Sequence, residues 1–173
     1  MISSYLYMLH PGTNTRQHFR LPCGSYYHLR VDEKGNAALS ESGYILPHPV
    51  LSDRLCYILR DAVSLPPHVQ VHSDAVTELA CHLCDELEAH GHHFDQKLIR
   101  SGALLHDIAR LQKHHTRAGG DLFLQLGYPE IAQIISQHHE LKETKLDEAA
   151  IVFLADKLIE ETQRVSIEKR FAD

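Results

Sequence analysis

The sequence predicts an all-α domain preceded by a small extension that contains a β-hairpin. Three observations carry this. Beyond about residue 66 nearly every segment has the three-and-four apolar spacing of amphipathic helices. Before it, runs rich in Tyr and Val alternate instead. The texture changes at Leu65-Pro66-Pro67, which divides the chain into an extension over 1–65 and a helical domain over 66–173.

Taken in order, Ser25 to Val31 and Ala37 to Leu46 alternate and hold β-formers such as Tyr26, Tyr27 and Val31. Asp32-Glu33-Lys34-Gly35-Asn36 joins them with turn-forming residues, so the pair reads as a hairpin. Asp53 to Val63 reads as a short helix capped by Ser52 or Asp53. Helices follow near 70–90, 95–110, 115–126, 129–140 and 147–166, punctuated by Gly91, Gly127 and Pro129.

At 173 residues the chain is long enough to bury one core. The formal charge of −6 removes any electrostatic reason for general nucleic-acid binding. It leaves a small anionic substrate open, because a bound cation reverses the local potential. No apolar run is long enough for a membrane span, and no signal peptide opens the chain, so a reduced, cytoplasmic protein is expected. Cys81-His82-Leu83-Cys84 has the form of half a zinc site, but lacks a partner pair. With Leu79, Leu83 and Leu87 around it, the segment reads as a helix with small buried residues.

The chain carries 15 histidines, and some fall where the apolar pattern turns them inward. His72 shares a helical face with Val76, Leu79, Leu83 and Leu87. His106 shares one with Ile99 and Ala103, while Leu104 and Ile108 surround Asp107. Asp156 has Val152 four residues before it and Ile159 three after it. His138 follows Ile131, Ile134 and Ile135, and His115 opens a helix in which Gly119 and Gly120 permit close approach of a neighbour. Taken singly, each has a plain structural reading: a hydrogen-bonded core imidazole, a buried ion-pair partner, a helix cap. Their joint occurrence on inner faces changes the balance, because buried imidazoles and carboxylates are costly unless a shared cation satisfies them. Four imidazoles and two carboxylates exceed the needs of one tetrahedral zinc. Two metals bridged by Asp107 would use all six. His10, His18, His28, His48, His68, His90, His92, His93 and His114 read as surface or loop residues, whereas His139 is either a supporting group or a third nitrogen ligand.

The order His72, then His106-Asp107, then Asp156 resembles the HD superfamily of metal-dependent phosphohydrolases. It does so in the strings HSDAVTELA, SGALLHDIAR and VFLADKLIE, over about residues 69 to 162. His115 with Gly119, and His138-His139, are similar to the extra ligands of its dinuclear members. The resemblance implies a helical bundle with divalent transition metals (two ions, of Fe, Mn, Ni, Co or Zn) held between helices. It also implies hydrolysis of a small phosphorylated substrate, in which water activated on the metal attacks phosphorus. By that likeness Asp107 bridges the metals and orients the nucleophile. His72, His106 and Asp156 hold one cation, and His115 and His138 the other. Arg110, with Lys113, Arg117 and Lys142 nearby, would take phosphate oxygens, Arg110 standing where many members have Lys.

The string QHHEL resembles the cyclic-dinucleotide phosphodiesterases of the HD-GYP type, but Leu141-Lys142-Glu143 follows it, and Gly127-Tyr128-Pro129 lies upstream. The small HD hydrolases of nucleotides or dinucleoside polyphosphates are the preferred likeness. Two alternatives come from other classes: an HD-type diiron oxygenase, and a regulatory or binding module without catalysis. Product chemistry separates the first, and the full ligand set speaks against the second.

Overall fold

Ser52 opens the helical part of the chain, its hydroxyl accepting from the Leu55 amide at 3.4 Å. The computed structural model describes the strand residues 16–20, 26–31, 37–41 and 44–45, and then residues 51–171 continuously. The first group is an antiparallel sheet of β1 (Arg16–Arg20), β2 (Tyr26–Val31), β3 (Ala37–Glu41) and β4 (Tyr44–Ile45), in that order. The β2–β3 pair, with Val31 opposite Ala37 and Tyr27 opposite Glu41, is the expected hairpin. Its joining residues 32–36 lie outside the described part. Two features differ from expectation. Within the run Ala37 to Leu46, the separate strands β3 and β4 pair with each other, Ser40 opposite Ile45. Strand β1 was not anticipated, because Arg16-Gln17-His18-Phe19-Arg20 has one apolar residue and no alternation; its pairing with β2 makes it a strand.

The helices are α1 (Asp53–Ala62), α2 (Pro67–Ala89), α3 (Gln96–Leu105), α4 (His115–Gln125), α5 (Pro129–Gln137), α6 (Glu148–Leu158) and α7 (Ile167–Phe171). A short hairpin of β5 (Ile159–Glu160) and β6 (Gln163–Arg164) separates the last two. Asp95 and Asp147 cap α3 and α6, each accepting at 3.0 Å from the amide three residues on. Pro67 occupies the first turn of α2, where a missing N–H costs nothing. Gly91 and Gly127 take positive φ just beyond the ends of α2 and α4. Among the described residues no helix is long and apolar enough to cross a membrane.

Helix α3 lies at the centre of this bundle. Leu104 and Leu105 pack into one apolar cluster with α1, α4 and α5, while Ile99 and Ala103 pack into another with α2 and α6. Every residue from Ser101 to Ala109 is buried, so the chain carries His106-Asp107 into the middle of the molecule. Glycine lets α5 come close enough to complete the centre. A Cβ on Gly119 would stand 2.7 Å from Ile135 Cγ2, and one on Gly102 would stand 2.6 Å from Ile134 Cδ1.

Three helix ends fall earlier than the periodicity implies. Helix α3 stops at Leu105 instead of 110, and continues as tight turns with Ile108 bonded to Leu105 and Arg110 to Asp107, both at 2.9 Å. Helix α5 stops at Gln137 instead of 140. In both, a histidine just past the end competes for a helix carbonyl: His106 Nδ1 donates to Ala103 O, and His138 Nδ1 to Ile135 O, each at 2.7 Å. Helix α6 stops at Leu158 instead of 166. Ile159 is extended, Glu161 is left-handed at φ 56°, and Val165 N–H closes back on Leu158 O at 2.8 Å. The β-branched Ile159, Thr162 and Val165 favour that hairpin over helix.

Gly119→Ala should lower stability by about 1–3 kcal/mol in denaturant unfolding, because Ile135 Cγ2 sits on a stiff β-branched side chain. An unchanged midpoint would show that α4 and α5 are not packed this closely.

Candidate metal centre

Four helix ends supply the centre, each through a side chain on its inner face. His72 comes from the first turns of α2, His106 and Asp107 from the end of α3, His138 from the end of α5, and Asp156 from the last turn of α6. His115, the first residue of α4, completes the ring. Thus all six residues that the sequence marks as ligands converge.

Their contacts fall into two halves about Asp107. On one side His72 Nε2 lies 3.0 Å, and His106 Nε2 3.5 Å, from Asp156 Oδ1. On the other, His115 Nε2 lies 3.3 Å and His138 Nε2 3.5 Å from Asp107 Oδ1. Asp107 Oδ2 faces back to His106 Nε2 at 3.8 Å. Atoms bound to one ion at about 2.0–2.2 Å stand roughly 3.0–3.5 Å from one another, which is the spacing seen. His72, His106 and Asp156 form one group able to hold a cation, and His115, His138 and His139 form another. The second group brings in His139, whose ring centroid is 4.3 Å from that of His138 and 4.8 Å from that of His115.

The tautomers follow from the backbone. His72 Nδ1 donates to Glu161 O at 2.8 Å, as His106 and His138 donate to Ala103 and Ile135. Each ring is thereby oriented with Nε2 as its lone-pair nitrogen. Those nitrogens face carboxylate oxygens, so acceptors oppose acceptors. Buried His106 Nε2, His138 Nε2 and Asp107 Oδ1 have no hydrogen-bond partner. Three orphaned buried acceptors aimed at one volume fit a cation.

The electrostatics agree. The hydrogen bond with Asp156 raises His72 above the ordinary imidazole value, outweighing burial. Burial lowers His115, and partial desolvation takes the more exposed His139 down to about 4 with help from neighbouring His138, His115 and Lys157. Burial alone would raise Asp107 and Asp156, but the surrounding imidazoles hold both well below the usual carboxylate range. Both carboxyls are therefore charged at neutral pH.

A cavity of about 760 Å³ opens beside this ring, lined by His72, Asp107 and Asp156 together with Arg110 and His139. Arg110 Nη1 lies 3.7 Å from Asp107 Oδ1 and 3.3 Å from His115 Nε2, so it is at the centre. Lys113, Arg117 and Lys142 are exposed and do not line the cavity; Arg117 pairs with Asp121 at 3.6 Å. Sequence reasoning missed the Glu161 carbonyl, Lys157 and Arg170 on the cavity wall, because the hairpin after α6 brings two of them there. His68, read as a surface residue, is exposed but also borders the cavity. Of the cysteine pair, Cys84 is buried and Cys81 half-buried, each with a free thiol.

For His139 the depressed value fixes a sign. Between pH 6.5 and about 4 the unfolded chain binds a proton that the folded chain does not, so this group's share of stability is lost as pH falls through that window. Histidine NMR titration of metal-free protein should place His139 below, and His72 above, the ordinary 6.5. The reverse order would contradict the packing.

The HD domain family matches residues 69–160, just over half of the chain and the stretch holding all six converging residues. An uncharacterized protein of Methanocaldococcus jannaschii is 32% identical over 121 residues, covering 58% of this chain and 72% of that protein. Ribonuclease Y of Thermotoga maritima is 34% identical over 134 residues, 74% of this chain and 25% of the relative. Ribonuclease Y of Desulforudis audaxviator is 30% identical over 136 residues, 75% and 25%. The chain thus spans about a quarter of the length of these ribonucleases. No solved structure matches it significantly. By its helical architecture, its paired His106-Asp107 at the centre and this match, the chain belongs to the HD domain family.

Proposed function

We propose that this chain is a metal-dependent phosphohydrolase, a phosphomonoesterase or phosphodiesterase, acting on a nucleotide or related small phosphate ester. Membership of the HD superfamily of metal-dependent phosphohydrolases supports the reaction class. The likeness to proteins named ribonuclease Y supports phosphodiester chemistry among the possibilities. The carrying observation is the set of orphaned acceptors, His106 Nε2, His138 Nε2 and Asp107 Oδ1, turned toward one another beside an accessible cavity.

His72, His106 and Asp156 would hold one ion, and His115 and His138 a second, with Asp107 between them. His139, grouped with His115 and His138, would serve the second. Divalent transition metals bound there supply Lewis-acid activation of water and neutralise charge developing on a phosphoryl group. Asp107 stays ionised and, with one oxygen toward each half of the site, orients what lies between them. Arg110, about half exposed and beside Asp107, would donate to phosphate oxygens entering from the cavity. The Glu161, Ala103 and Ile135 carbonyls keep the imidazoles in the tautomer that ligation requires. Buried Leu104, Leu105 and Ile135 around α3 and α5 keep solvent out from behind. Residues 1–65 hold none of the six candidate ligands, though α1 packs into the bundle core.

A panel of nucleotides and phosphoesters assayed for phosphate release should show turnover that Asp107→Ala reduces at least about 1,000-fold, with the helical circular dichroism kept. His115→Ala with His138→Ala should halve the metal per chain. Turnover that survives loss of Asp107 would refute its role, and oxygen uptake in place of phosphate release would replace the reaction class.

A further inference from the structure

The cavity beside the centre carries positive charge that the hydrolysis above does not use. Its lining includes Arg110, Lys157 and Arg170 against Asp107, Asp156 and Glu161. Arg110 belongs to the centre through its contacts with Asp107 and His115. Lys157, next to Asp156 on α6, and Arg170 on α7 line the same cavity. Lys157 Nζ lies 5.4 Å from the centroid of the Phe153 ring, which holds an ammonium without neutralising it. Arg170 extends from α7, where the adjacent Lys169 takes Glu160 at 2.9 Å. Among the described residues neither Lys157 nor Arg170 forms an ion pair, and both border the cavity. The volume of about 760 Å³ falls in the about 300–1,000 Å³ range of clefts for small organic ligands, and one phosphate group would fill little of it. Val69 and Val71 of α2, with Ile159, give the cavity an apolar part.

We propose that Lys157 and Arg170 form a second anion subsite, which selects small nucleotides bearing a further phosphate beyond the one at the metal centre. The proposal rests on the phosphohydrolase reading of that centre. A phosphate at the metals would meet Arg110, and a second phosphate linked to it would gain charge-assisted bonds to Lys157 and Arg170. The apolar wall residues suit the rest of a nucleotide. A long nucleic acid is disfavoured, since a chain of net charge −6 lacks the basic track that strands require.

The test uses the full chain, metal-loaded, with Lys157→Met and Arg170→Met combined. KM is read for a nucleoside 5′-diphosphate and the matching 5′-monophosphate; where turnover is absent, the same comparison is read as Kd by titration. The diphosphate should weaken about tenfold or more, as expected for losing charged hydrogen bonds, and the monophosphate should change by less than about twofold. Lys169→Met, which removes a cation paired outside the cavity, should change neither. Equal weakening of both ligands, no weakening, or wild-type preference for a short oligoribonucleotide over the diphosphate would overturn the subsite. Preferential diphosphate binding that the double variant abolishes, in a protein that hydrolyses no phosphoester, would support the subsite and reject the phosphohydrolase reading.

Discussion

The structure depends on acceptors made to face acceptors. Three imidazoles donate their Nδ1 protons to backbone carbonyls, which leaves their Nε2 lone pairs directed at the carboxylates of Asp107 and Asp156. In a core of Ile, Leu and Ala such a set is expensive. It is stable only with positive charge among its members. A proton is a partial substitute, and the hydrogen bond with Asp156 favours one on His72.

Other features serve this convergence. Ending α3 at Leu105, inside the bundle, puts two adjacent residues on a tight turn, so that His106 and Asp107 both reach the same centre. Gly102 and Gly119 let α5 approach α3 and α4 closely enough for His138 to join them. The hairpin after α6 returns the chain to α2, where the Glu161 carbonyl fixes His72. The buried Arg60, held by Asp74 and the Gln70 carbonyl at 2.6 Å, fastens α1 to α2 away from the centre.

Much of this was legible in the sequence, for a definable reason. The helices announce themselves by apolar spacing, and the ligands by interrupting it: Asp156 between Val152 and Ile159, His138 after three isoleucines. Burial confirmed that pattern, with His106 and His138 almost wholly enclosed. What periodicity could not show is where helices stop. The early ends of α3 and α5 come from side chains competing for carbonyls, and that of α6 from a hairpin whose turn residue, Glu161, takes a left-handed conformation without glycine. The cations were misjudged for a related reason. Lys113, Arg117 and Lys142 are near the ligands in sequence yet do not line the cavity, whereas Lys157, beside Asp156 on α6, and Arg170, returned by the hairpin, do. Arg60 gave no signal at all, since a single arginine in an amphipathic helix reads as a solvated residue.

Thermal unfolding followed through removal and return of metal tests the central claim most directly, because an ion that satisfies buried acceptors must stabilise the fold it completes. A chelator should lower Tm, and a stoichiometric transition metal should restore it. A protein that holds no metal when purified, and whose Tm is indifferent to both additions, would show that these acceptors are satisfied in some other way.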